Sequence, residues 1–183
     1  MSTLSEAKAL GGVGSILVLL VPIPTAGPVL GVIGFIMTLI AFKYIADAVK
    51  DPQIYSNMIY SVLLDIVAIA VAAIAVIGAI YQIVSLALAL TVIGGLVAVW
   101  ILLIVASVFL RRSCNAIASK LDIHLFSTAG LIFFVGAVTS VILVGFLLIL
   151  VAEVLLAVSF FSIRETTVMT PQSPDQNLPG GAP

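Results

Sequence analysis

Residues 9–42 read ALGGVGSILVLLVPIPTAGPVLGVIGFIMTLIAF, an uncharged apolar run interrupted near its middle by Pro22, Pro24 and Pro28 with Thr25 and Gly27. Crossing about 30 Å of hydrocarbon takes roughly 20 apolar residues in a helix, so this run is too long for one span. Prolines remove backbone donors and clash with the preceding turn, which also excludes one unbroken helix. The cluster is read as a tight reversal between a helix over about 4–21 and one over about 28–49. Thr3-x-x-Glu6 offers a capping box to the first, and Pro28 falls in the first turn of the second, where proline is tolerated.

Two further apolar runs, 58–110 and 129–163, are also too long for one span each. The middle run divides around Tyr81, Gln82 and Ser85, polar enough for an interface, into helices of about 58–80 and 86–110. The last bends at Gly145 into helices of about 128–143 and 146–163. The reading is an all-α polytopic membrane helical bundle over 1–164, with six transmembrane helices as three hairpins. The alternative is four helices, with the first and third runs each crossing once.

Composition agrees. Of 183 residues, 63% are hydrophobic and 8% charged, with mean hydropathy +1.38, whereas about a quarter of a soluble domain is charged. Lipid is therefore the solvent for most of the chain, which excludes a soluble enzyme, a disordered chain and a disulfide framework. A net charge of −1 without basic runs argues against nucleic acid as a partner. The one cysteine, Cys114, and the one histidine, His124, supply no set of ligands for zinc, haem or an iron–sulfur cluster, so no cofactor is expected. Residues 165–183 turn to Thr, Pro, Gln, Asn and Gly, a composition expected to stay disordered. Lys8 before an apolar run ending at Pro24-Thr25-Ala26-Gly27 imitates a signal peptide. Pro24, however, stands where cleavage wants a small residue, so the segment is expected to remain.

Basic residues provide an independent test, because short loops rich in Lys and Arg stay cytoplasmic. With six helices all seven fall on one side: Lys8, Lys43, Lys50, Arg111, Arg112, Lys120 and Arg164. The opposite turns, around Pro24, Tyr81 and Gly145, are uncharged. Both termini are thus expected in the cytoplasm and the protein in the cell membrane. Sliding the chain by 118 residues places Gly12 on Gly130, Gly27 on Gly145, Leu30 on Leu148, Phe42 on Phe160 and Ile45 on Ile163, suggesting that the outer hairpins are parallel repeats.

Gly11-Gly12-Val13-Gly14, Ile40-Ala41-Phe42-Lys43-Tyr44-Ile45 and Asp51-Pro52-Gln53-Ile54-Tyr55 resemble an archaeal multi-pass membrane family known as domain of unknown function 996. Leu125-Phe126-Ser127-Thr128-Ala129-Gly130 and Ala157-Val158-Ser159-Phe160-Phe161-Ser162 are similar to it too, so the resemblance covers about 10–164. It implies a membrane fold and carries no catalytic residue.

Two carboxylates, Asp65 and Glu153, lie inside the predicted helices. A charge there costs at least ~2.5 to 3.5 kcal/mol, so both should face the bundle, and Glu153 should be protonated or paired. Their depths from the basic side allow them to meet if their helices adjoin, and Lys43 could snorkel toward Asp65. The functional reading is a proton or cation relay through Glu153 and Asp65. The structural reading has each acid bonded to a neighbouring hydroxyl or carbonyl and fixing helix packing. Gly27, Gly31 and Gly34 on one helix, with Gly136 and Ser140 on another and Gly145 at the bend, permit close helix approach, either within the chain or in a homo-oligomer. His124 is read as solvated, Trp100 as packing, and Ile54, Tyr55, Ile123, Leu125 and Phe126 as short anchors in the headgroups. With no nucleophile and base at membrane depth, an enzyme ranks last. A structural component binding lipid, a second copy or another membrane protein ranks first, and a small proton- or cation-coupled transporter or channel second.

Overall fold

The computed structural model describes residues 3–81, 86–142 and 144–164. They form six helices: α1 (Thr3–Leu19), α2 (Gly27–Val49), α3 (Pro52–Tyr81), α4 (Leu86–Leu121), α5 (His124–Thr139) and α6 (Val144–Phe161). Each packs on its neighbours in sequence, and α1 packs on α6, so three hairpins close into a ring. No strand occurs among the described residues. Four helices, α2, α3, α4 and α6, are long and apolar enough to cross a membrane, whereas α1 and α5 have 17 and 16 residues. An all-helical polytopic bundle is the result.

The Pro22–Pro28 segment does reverse the chain, and Pro28 sits at the start of α2. Thr25 takes a positive φ of 73° in the turn. At the other end of α2, Lys50 adopts the left-handed conformation and the Asp51 N–H reaches back to the Ala46 carbonyl at 2.9 Å, a glycine-free version of the usual helix stop. Asp51 then accepts the Gln53 N–H at 3.1 Å, and Pro52 occupies the first turn of α3.

Several helix ends differ from the sequence expectation, α5 among them, which covers His124–Thr139 rather than about 128–143 because the turn to α6 comes before Gly145. Helix α3 starts at Pro52 rather than about 58, and α4 runs to Leu121 rather than about 110. Loss of apolarity marked those boundaries, but Arg111 and Arg112 are good helix formers, and polarity ends a lipid-facing stretch without ending a helix. The headgroup anchors are corrected for the same reason. Ile54 and Phe126 are wholly buried, because α3 and α5 begin earlier than expected and turn them inward, and Tyr55 of α3 and Ile123, the residue capping α5, pack against the core. The predicted tail, 165–183, and the connection at 82–85 lie outside the described residues.

The core gathers at the basic end. Phe42, Phe126 and Phe160 are fully buried, with Phe160 edge-on to Phe42 at 5.7 Å and to Phe126 at 5.2 Å. Ile45, Ile54, Ile117 and Ile163 surround them. The Ser113 hydroxyl, completely buried, donates to the Ile54 carbonyl at 2.6 Å and ties α4 to α3.

Glycines set the spacing of the outer hairpins. A Cβ on Gly14 would stand 2.6 Å from the Gly34 carbonyl oxygen, so α1 and α2 touch backbone to backbone. A Cβ on Gly136 would stand 3.0 Å from the Gly145 carbonyl oxygen. Gly27 and Gly145, matched by the sequence repeat, do the same job, Gly27 against the Leu20 and Val21 carbonyls just past α1 and Gly145 against Thr139 and Ser140 at the end of α5.

Candidate functional site

One face of α3 carries Met58, Ser61 and Asp65 at successive turns, at i, i+3 and i+7. Phe35 and Thr38 share a face of α2, and Glu153 and Leu156 one of α6. These faces converge on a cavity of about 40 Å³ inside the ring, completed by Val18 of α1, Leu110 of α4 and Phe133 of α5, so all six helices contribute. A water needs roughly 10–15 Å³ of such space, so the cavity has room for a water or two, or for a small cation.

Asp65 and Glu153 are therefore brought to the same cavity, both half-buried. Neither makes an ion pair or a side-chain hydrogen bond among the described residues. Thr38, buried and lining the cavity, has a hydroxyl without a partner, as does Ser15, fully buried one turn before Val18 on α1. A buried hydroxyl left unpaired costs about 1–3 kcal/mol, so the site contains polar groups that the protein itself does not satisfy.

Lys43 does not join them. It is exposed on the outer side of α2, because its neighbour Phe42 fills the interior and successive helical positions diverge by about 100°. Arg111 and Arg112 are also turned aside, lying over the rings of Phe134 at 5.5 Å and Phe109 at 5.7 Å. The two acids thus face each other's cavity with no described cation beside them. Thr38 and Ser61 went unrecognised in the sequence. Ser61 precedes Asp65 by one helical turn, a spacing that could have drawn attention to it, whereas only the packing of α2 reveals Thr38.

The other predicted residues are placed elsewhere. Gly27, Gly31, Gly34, Gly136 and Gly145 all meet atoms of this same chain: Gly31 is covered by Val21, Gly34 by Gly14 and Leu17, and Gly136 by Ile149. The Ser140 hydroxyl turns back to the Ala137 carbonyl at 2.8 Å. Trp100 donates its indole N–H to the Val138 carbonyl at 3.2 Å, at the last turn of α5. His124 is exposed, 3.9 Å from Asp122, at the edge of a recess of about 620 Å³ that also meets Lys120 and Arg164. Lys120 lies 4.0 Å from Asp51, joining the two basic-end connections. Among the described residues no three His, Cys, Asp or Glu side chains cluster as a metal site.

No solved structure matches this chain. Uncharacterized protein MJ1644 of Methanocaldococcus jannaschii is 28% identical over 169 residues, covering 88% of this chain and 94% of its own length. A family profile described as Protein of unknown function (DUF996) matches residues 30–154, which include both acids, Thr38 and five of the six helices in whole or part. The chain belongs to the DUF996 family of proteins of unknown function.

Proposed function

We propose that this is a multi-pass protein of the cell membrane, with both termini cytoplasmic, whose internal cavity takes up a proton or a small cation at Asp65 and Glu153. The observation that carries the reading is the convergence of both intrahelical acids and the unpartnered Thr38 hydroxyl on one cavity. Two ionised carboxylates around so small a space repel each other and forfeit hydration, and either a shared proton or a bound cation relieves both effects. Oxygen ligands from Asp65, Glu153, Thr38 and Ser61 suit a hard cation with little preference for sulfur or nitrogen. No nucleophile with a base accompanies the acids, so no catalysis is assigned.

The competing reading is a structural or partner-binding membrane component, in which the acids only fix helix packing. It requires each acid to bond a neighbouring hydroxyl or carbonyl, and neither does so among the described residues. The discriminating experiment is infrared difference spectroscopy of the protein in nanodiscs during changes of pH and of sodium or potassium. A carboxylic signal that responds to either change and is altered by Glu153→Gln and by Asp65→Asn is expected. Spectra indifferent to both variants would leave the structural reading standing. Proton flux in proteoliposomes that survives Glu153→Gln unchanged would remove Glu153 from any relay.

A further inference from the structure

The geometry points to a second property, independent of what the acidic cavity binds: the outer hairpins α1–α2 and α5–α6 enter the bilayer from the basic side and turn back near its midplane, leaving only α3–α4 to cross completely. Helix register carries the inference. Leu110 of α4 and Glu153 of α6 line one cavity and so lie at similar depth. From Glu153 to the start of α6 at Val144 is about 14 Å at 1.5 Å per residue, while from Leu110 to the start of α4 at Leu86 is about 36 Å. Helix α4 therefore extends about 22 Å beyond the tip of its neighbouring hairpin. The same comparison holds for α3, which runs about 24 Å from Asp65 to Tyr81, while α2 runs about 12 Å from Phe35 to Gly27.

Trp100 fixes the depth of the α5 tip. Its bond to the Val138 carbonyl places the end of α5 beside it. Trp100 lies about 16 Å along α4 from Arg111 and about 21 Å from Leu86. With the exposed Arg112 at the headgroups and about 30 Å of hydrocarbon above it, Trp100 and the α5 tip come to the bilayer centre.

The turns are chemically fit for that depth. Backbone groups in hydrocarbon must be satisfied internally. In the α1–α2 turn Pro22, Pro24 and Pro28 have no N–H to satisfy, and the N–H groups of Leu20, Val21, Ile23, Ala26, Gly27 and Leu30 bond within the segment, leaving those of Thr25 and Val29 without a backbone partner among the described residues. In the α5–α6 turn the Ile142 and Gly145 N–H groups are bonded, and the Thr139 and Ser140 hydroxyls fold back onto helix carbonyls at 2.8 Å. The tips present Ile23 at 47%, Val141 at 71% and Ile142 at 64% exposure, side chains suited to lipid rather than water.

The protein contains one tryptophan, so its depth can be read directly. In liposomes of phosphatidylcholine brominated at defined acyl positions, Trp100 should be quenched most by the deepest bromines. In a Trp100→Phe background, tryptophan placed by Ile23→Trp or Ile142→Trp should show the same deep quenching and resist aqueous iodide from either side. The wild-type protein and the two exposed tip positions are separate measurements, so misfolding of one variant does not remove the test. Tip tryptophans quenched by iodide, with shallow bromines most effective, would overturn the half-depth placement and restore six full crossings.

Discussion

Replacing Gly34 and Gly94 by alanine should have opposite effects, although both residues lie inside long apolar helices. A Cβ on Gly34 would collide with the Gly14 carbonyl oxygen and stand 2.6 Å from the Leu17 Cβ and 2.9 Å from the Val18 N, so α1 would have to move away from α2. A Cβ on Gly94 meets nothing within 4 Å. Both changes gain the same helix propensity, about 1 kcal/mol. Overpacking at Gly34 subtracts about 1–3 kcal/mol, with backbone atoms among the obstacles, so the net effect there lies between neutral and about 2 kcal/mol destabilising. Gly94→Ala should stabilise by up to about 1 kcal/mol. At about 2–4 °C per kcal/mol for a chain of this size, the two melting temperatures should differ by about 2–12 °C, with Gly34→Ala the lower. Thermal unfolding in one detergent, followed by the loss of monodisperse protein, measures the difference. Equal melting temperatures would refute the backbone contact between α1 and α2.

Phe160→Ala should destabilise the protein by about 3–5 kcal/mol, because it empties a fully buried site and removes both edge-on aromatic contacts; denaturant titration of the purified protein measures the loss. Ser113→Ala should cost about 0.5–1.5 kcal/mol by removing the interhelical bond while the Ile54 carbonyl keeps its place in the α3 ladder, and the same titration would show whether Ser113→Thr retains part of it. Trp100→Phe should cost about 1 kcal/mol through loss of the Val138 bond, with faster hydrogen exchange at the end of α5 as the readout. Thr38→Val should leave stability within about 1 kcal/mol, since the hydroxyl has no protein partner to lose, yet weaken the infrared response of the cavity to sodium or protons.

Much of the fold was legible because apolarity and proline act locally. The Pro22–Pro28 cluster gave the first reversal, Gly145 marked the third only approximately, since α5 ends at Thr139 and Gly145 lies in the first turn of α6, and the seven basic residues gave the common end of the three hairpins. The extension of α4 past Arg111 was not legible, since a charged residue changes what a helix faces and not whether it is helical. The site was half legible. Asp65 and Glu153 had to face inward because lipid tolerates neither, but Lys43 was paired with Asp65 on depth alone, and depth leaves the angular position on the helix undetermined. Phe42 decides that angle, through its contact with Phe160 of α6 that no local pattern contains. Thr38 and Ser61 looked like ordinary hydroxyls of membrane helices, which commonly bond their own preceding turn, as Ser107 and Ser159 do here.

The half-depth hairpins change what the acidic cavity can be. A ring of six helices would then exist only in the half of the bilayer nearest the basic end, and the cavity lies level with Leu110, one residue from Arg111. Beyond the hairpin tips a single copy offers only α3 and α4, whose outward residues there include Val76, Ile77, Ile93 and Leu96. An ion in the cavity thus exchanges with the basic side, and no ring continues its path through the far half. On that placement the acids also divide between two kinds of element, Asp65 on α3 of the crossing pair and Glu153 on α6 of a half-depth hairpin. A proton or cation held between them attracts both, whereas its loss leaves like charges facing across about 40 Å³ with no described cation to separate them. Occupancy of the cavity therefore bears on how the α5–α6 hairpin, which packs on α4 and α1, sits across the cavity from α3.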